Sequence, residues 1–149
     1  MENAAASPDT VTDDRAPPCV LIVDDDPATR MLCSVNLQLE GLRVLEATDG
    51  HHGLERARFE SPDLVLTDVT MPGLDGFQLA EALRLDERTR GIPLIFLSGE
   101  TTAADEARAH EVGALAYVTK PFDPLELTAL VANVLARLGT REQTKVPGA

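Results

Sequence analysis

The chain has 149 residues, a formal net charge of −12 and 44% hydrophobic residues. That length supports one core able to fold without disulfides or structural metal and excludes two full-sized domains. The charge argues against nucleic acid and anionic membranes as partners and suits cations, including divalent metal, although solubility alone accounts for most of such a surface.

Residues 1–16 are small, polar and acidic, and read as a disordered tail. Residues 17–138 form the predicted domain, and 139–149 read as a flexible tail. No basic start followed by an apolar stretch marks a secretory signal, and no apolar run reaches membrane-span length. A cytoplasmic protein is expected. Cys19 and Cys33 lack zinc-ligand spacing and read as reduced core thiols.

The first predicted strand is CVLIV, Cys19 to Val23. Asp24-Asp25-Asp26 follows. A helix then begins at Pro27, with Asp26 as its N-cap and proline at its favoured first position. The second strand is RVLEA, Arg43 to Ala47. His51 and His52 fall at the start of the second helix. The third strand is DLVLT, Asp63 to Thr67, followed directly by Asp68 and the turn signal Val69-Thr70-Met71-Pro72-Gly73. PLIFL, Pro93 to Leu97, is the fourth, with Ser98-Gly99 after it. A helix rich in alanine and charge spans Thr101 to Val112, with His110 near its end. Few large apolar residues anchor it. ALAYV, Ala114 to Val118, is the fifth strand, and Thr119-Lys120-Pro121 comes next. The last helix follows Asp123-Pro124, where Glu126 completes a D-x-x-E pattern. Leu127, Leu130, Val131, Val134, Leu135 and Leu138 make its single apolar stripe.

Strand and helix alternate five times, which implies an α/β fold: a five-stranded parallel sheet, doubly wound, with helices on both faces. Ligands of such folds bind beyond the carboxyl ends of the strands. Asp24, Asp25, Asp26, Asp68, Ser98 and Lys120 should therefore meet at one edge. Clustered carboxylates repel one another unless a cation joins them, and Mg²⁺ suits one or two carboxylates plus phosphate oxygens and water. Asp25 and Asp68 are the expected ligands, with Asp24 acting through water. Phosphoryl transfer needs its equatorial oxygens neutralised. Mg²⁺ can cover one, Lys120 a second, and the Ser98 hydroxyl with backbone N–H groups a third. A carboxylate can itself be the nucleophile. Each element has a structural alternative: a DDD run caps helices, and a lone aspartate, serine or lysine at a strand end means little. Their coincidence on successive strands favours the chemical reading.

The motifs VLIVDDDPATR, PDLVLTDVTMPGLDG, IPLIFLSGE and ALAYVTKPF, in that order, resemble the CheY-like receiver domain of two-component response regulators, over about Pro18 to Leu138. The resemblance implies that Asp68 is the phosphoacceptor, and that Asp24 and Asp25 hold Mg²⁺ with the Thr70 backbone carbonyl. Ser98 and Tyr117 would be the switch residues, Lys120 would bind the phosphate, and the Lys120–Pro121 bond would be cis. Residues at positions 70 and 100, here Thr70 and Glu100, tune the phosphoryl lifetime in that family. It further implies a sensor histidine kinase or histidine phosphotransfer protein as donor and a downstream protein as target. The expectation is a stand-alone receiver, or one piece of a larger regulator, that catalyses only its own phosphorylation and dephosphorylation. A haloacid-dehalogenase-type phosphatase would need an aspartate two residues after its nucleophile. Thr70 fails that test for Asp68, and Ala28 breaks the corresponding pattern for Asp24. A degenerate receiver is opposed by the intact Asp25, Asp68, Ser98 and Lys120.

Overall fold

The structure, a computed structural model, describes residues 16–99 and 102–148, with side chains through 138; the expected N-terminal tail up to residue 15, Glu100 and Thr101, the expected start of the fourth helix, lie outside the described residues. The elements are β1 (Cys19–Val23), α1 (Pro27–Leu39), β2 (Arg43–Ala47), α2 (Gly50–Glu60), β3 (Leu64–Asp68), α3 (Gly76–Leu85), β4 (Leu94–Ser98), α4 (Ala103–Glu111), β5 (Ala116–Thr119) and α5 (Pro124–Gly148).

All pairings are parallel, in the order β2-β1-β3-β4-β5. The burial of each strand follows from its place. β1, β3 and β4 are buried at every position, as their continuous apolar runs require of strands covered on both faces. RVLEA and AYVT are edge strands and leave residues partly exposed.

Side chains alternate across the sheet and build two cores. Val20, Ile22, Leu64, Leu66, Ile95 and Leu97 meet Cys33 and Leu37 of α1 and Leu127, Val131 and Val134 of α5. Leu21, Val23, Val65 and Phe96 meet Ala57 of α2, Phe77, Leu79, Ala80 and Leu83 of α3, and Ala109 of α4. The stripe read along the last helix is therefore its sheet-facing side; Leu130, Leu135 and Leu138 pack against the same core.

Caps agree with the local sequence. The Asp26 carboxylate accepts from Ala28 N, and Asp123 accepts from Leu125 N at 2.9 Å. A full capping box, however, forms at α3, where Asp75 and Gln78 bond reciprocally. α5 continues to Gly148, past Leu138, where the sequence reading ends the domain. The residues beyond Leu138 include Arg141, Glu142, Gln143 and Lys145, which favour helix even without an apolar stripe.

Two boundaries differ from expectation in a way that bears on the site. Asp68 and Ser98 are the last residues of β3 and β4, not the first residues after them. The ladder reaches them because Val69 N donates to Leu97 O at 3.2 Å and Lys120 N to Ser98 O at 2.7 Å. β5 starts at Ala116, because Ala114 N closes the end of α4 by donating to Ala109 O.

Candidate functional site

The strand order reverses direction between β1 and β3: the chain leaves β1 toward one edge and later returns to build the other. Neighbouring crossovers diverge there, and a crevice opens at the carboxyl ends of those two strands. Asp24 and Asp25 follow β1, and Asp68 ends β3. One carboxylate oxygen from each of Asp24, Asp25 and Asp68 lies within 4.8 Å of the others.

Each carboxylate has its own setting. Asp24 is fully buried; its Oδ1 accepts from Asp26 N at 2.9 Å and its Oδ2 from Lys120 Nζ at 3.0 Å. Asp68 is 8% exposed; its Oδ2 accepts from Lys120 Nζ at 3.2 Å and its Oδ1 from Thr70 N at 3.4 Å. Asp25 is exposed and faces solvent. Asp26 turns back to cap α1 and also accepts from Thr29 Oγ1 at 2.7 Å.

Lys120, directly after β5, thus bridges the two buried carboxylates, 96 and 52 residues away in sequence. The cis Lys120–Pro121 bond expected from the resemblance is present. Burial opposes the lysine's charge, yet the hydrogen bond and charge of Asp24, and then those of Asp68, hold its pKa above the ordinary value. Asp68 shifts up: burial disfavours its charge, and the Asp24 carboxylate adds to this against the pull of Lys120. One ammonium between three carboxylates leaves the crevice under-neutralised. Hard oxygen ligands, uncompensated negative charge and access through exposed Asp25 fit a divalent cation such as Mg²⁺.

Ser98, 3% exposed, ends β4 and is paired in register with Thr119. Tyr117 is half-buried, its ring 6.2 Å from that of Phe96. Asp24, Asp25, Asp68 and Lys120 are therefore brought into contact range, with Ser98 on the next strand end and Tyr117 on the edge strand beside it. Thr70 is exposed directly after Asp68–Val69. The histidines lie outside the crevice, although the His51 ring sits about one van der Waals contact from where a side chain on Gly73 would begin.

Two supporting residues were not singled out from the sequence. Arg30 Nη1 donates to the Asp24 carbonyl at 2.8 Å while its Nε meets Glu46 at 3.2 Å, fixing the turn that carries the acidic run. The signal was there, a lone cation one turn into a helix behind three aspartates. Gly76 lies so close to Asp68 that a Cβ there would collide with the Asp68 carbonyl oxygen. Gly76, which entered the sequence reading only as the end of the PDLVLTDVTMPGLDG motif, lets α3 start against the strand end that holds Asp68.

The fold and site define a doubly wound α/β domain with an acidic, lysine-bridged pocket at its switch point. The family model for the response regulator receiver domain matches residues 20–132. The chain belongs to that family, whose members are the phosphoacceptor modules of two-component signalling. Protein PilH of Pseudomonas aeruginosa is 39% identical over 117 residues, covering 78% of this chain and 97% of PilH. The DNA-binding dual master transcriptional regulator RpaA of Synechocystis sp. is 42% identical over 120 residues, covering 80% of this chain. The chain spans about half of the length of RpaA, 50%. Among solved structures, Vibrio cholerae chemotaxis protein CheY4 superposes with a TM-score of 0.76 at 33% identity, covering 80% of this chain and 99% of that one.

Proposed function

We propose that this receiver accepts a phosphoryl group on Asp68 from a phosphohistidine of a sensor histidine kinase or histidine phosphotransfer protein, and passes the signal to a downstream protein by changing conformation. The observation that carries the reading is the convergence of Asp24, Asp25 and Asp68 on one crevice with Lys120 bridging two of them.

In this reading an Asp68 carboxylate oxygen attacks phosphorus, the P–N bond to the donor imidazole breaks, and an acyl phosphate forms. Asp24, Asp25, Asp68 and the Thr70 carbonyl would hold Mg²⁺, which would supply neutralisation of phosphoryl charge. Lys120 pairs with a second phosphoryl oxygen and Ser98 donates to a third. Lys120 starts from an ion pair with Asp24 and Asp68, so it must be shared with, or released to, the incoming group. Hydrolysis of the acyl phosphate by water resets the domain; no other turnover is assigned to it.

This reading fits a domain working alone, as the length match to PilH suits, and equally the receiver part of a longer regulator, as the half-length match to RpaA suits. We assign residues 17–138 to the receiver and the cytoplasm as its compartment. Among the described residues no helix is long and apolar enough to cross a membrane.

Incubation with a small-molecule phosphodonor and Mg²⁺ tests the assignment. One phosphoryl mass should be added, and Asp68→Asn or excess chelator should abolish it. Undiminished labelling of Asp68→Asn would refute Asp68 as acceptor.

A further inference from the structure

We propose that Arg108 is a positioning residue: it clasps α4 against α3 and so sets how readily this receiver switches. The inference rests on the receiver reading and concerns how the same site is coupled to α4.

α4, sequence AADEARAHE, buries only Ala109 along its length, with Val112 at its cap. α3 beside it buries Gly76, Phe77, Leu79, Ala80 and Leu83. Apolar burial therefore holds α3 firmly and α4 weakly. Two arginine contacts cross between them in opposite directions. The Arg108 guanidinium of α4 lies 4.5 Å above the centroid of the Phe77 ring on α3. Arg84 of α3 donates from Nη1 to the Glu111 carbonyl at the end of α4, at 2.9 Å. Both cations sit at the carbonyl end of α4, where the helix dipole favours them.

Phe77 is the residue through which the site reaches this clasp. It follows Gly76, whose N–H donates to Val69 O at 2.8 Å and which abuts the Asp68 carbonyl. The Phe77 ring stands edge-on to Phe96 at 5.1 Å and 61°, and Phe96 lies 6.2 Å from Tyr117. A displacement of the 69–76 segment on phosphorylation must move the face on which Arg108 rests. Arg108 is itself exposed, so leaving the ring for water would uncover little apolar surface. In the proposal the clasp holds α4 where this structure, which carries no phosphoryl group, places it, and breaking the clasp releases α4. A cation–π contact at an exposed position biases such an equilibrium about two- to fivefold.

The direction of the effect separates this from simple electrostatics. Removing a positive charge should weaken binding of an anionic phosphoryl mimic. Removing a clasp that opposes the active arrangement should strengthen it, because the mimic no longer works against the clasp. The full chain is titrated with beryllofluoride in Mg²⁺, following amide shifts, for wild type, Arg108→Ala, Arg108→Lys, Phe77→Leu and the double variant. Arg108→Ala should bind the mimic about two- to fivefold more tightly, and Arg108→Lys should fall between it and wild type. Phe77→Leu should add little once Arg108 is gone. In the unliganded protein, α4 amides should exchange faster in Arg108→Ala by a similar factor.

Equal or weaker mimic affinity in Arg108→Ala, fully additive effects of the two substitutions, or unchanged α4 exchange would each overturn the clasp. If wild-type α4 amides ignore the mimic, the switching reading fails. The exchange comparison in unliganded protein then still decides whether Arg108 holds α4.

Discussion

Replacing Asp68, the proposed phosphoacceptor, should make the folded protein more stable. Asp68 sits in a crevice with two other carboxylates, each offering an oxygen within 4.8 Å, and one ammonium at 3.2 Å. With an effective dielectric of about 20, each carboxylate repels Asp68 by roughly 3.5 kcal/mol and Lys120 attracts it by about 5. The repulsions exceed the attraction by about 2 kcal/mol. The exposed position of Asp25 reduces that figure, and the burial of Asp68 adds to it. Asp68→Asn keeps the shape and removes the charge, so it should stabilise the metal-free fold by about 1–2 kcal/mol. The sign of the pH dependence follows from the raised pKa. The fold favours protonated Asp68, so the native protein loses stability as pH rises through the folded-state value. The advantage of Asp68→Asn should close as pH falls toward the ordinary value of 3.8. Saturating Mg²⁺ should stabilise wild type and do far less for Asp68→Asn. Urea unfolding in chelator at pH 7 and pH 4, and again with Mg²⁺, measures all three effects. A less stable Asp68→Asn at pH 7 in chelator would refute the charge accounting.

Lys120→Ala leaves the carboxylates without their counter-charge. It should destabilise the metal-free protein yet leave Mg²⁺ affinity equal or higher, as titration calorimetry would read; weakened Mg²⁺ binding would show that the lysine orders the ligands. The same variant should accept phosphate without the amide shifts across β4, α4 and β5 that accompany it in wild type. Gly76→Ala puts a methyl against the Asp68 carbonyl and within 2.9 Å of Val69 Cα, both backbone, and should cost about 1–3 kcal/mol in urea unfolding. Gly91→Ala meets nothing within 4 Å and should be neutral or slightly stabilising, so equal costs at the two sites would contradict the close approach at Gly76. Burial, and then the charge of Asp24, push the Cys33 thiol up to about 12, and Cys19 is also raised, chiefly by burial. Neither should react with a thiol-specific reagent at pH 8 until the chain is unfolded, and this stabilisation of the neutral thiols fades as pH climbs from 9 toward 12.

The parts of this fold legible in sequence were those whose signal is local. A buried parallel strand must be apolar throughout, so CVLIV, LVL and LIFL declared strands covered on both faces, while the place of RVLEA at an edge came only from the structure. Asp26-Pro27 fixed a helix start for the same reason. The pocket was legible because strand ends in a doubly wound sheet share an edge, so residues far apart in the chain converge without any further contact being known. Less legible was which carboxylate does what. Asp24, expected to act through water, is the most buried of the acidic run and is held by Asp26 N and Lys120. A run of three identical residues gives no sign of which one points inward; the turn geometry, set partly by Arg30 on the Asp24 carbonyl, decides it.

The seat of α4 was not legible at all, and the reason is physical. Sequence periodicity reports apolar burial, and α4 has almost none; on that pattern it reads as a loosely covering helix. Its attachment instead comes from a guanidinium over an aromatic face and a guanidinium on a helix-end carbonyl, pairs separated by 31 and 27 residues whose partners no spacing rule selects. Contacts of this kind are individually weak and orientation-dependent, so they can be made and broken without exposing a large apolar surface. An element seated by a leucine stripe lacks that property. α5, with Leu127, Val131 and Val134 locked against β1, β3 and β4, is the contrast within the same molecule: its stripe is plain in the sequence, and moving it would uncover a core. The weak apolar anchoring of α4 was plain in its pattern, and the two arginine contacts that seat it were not.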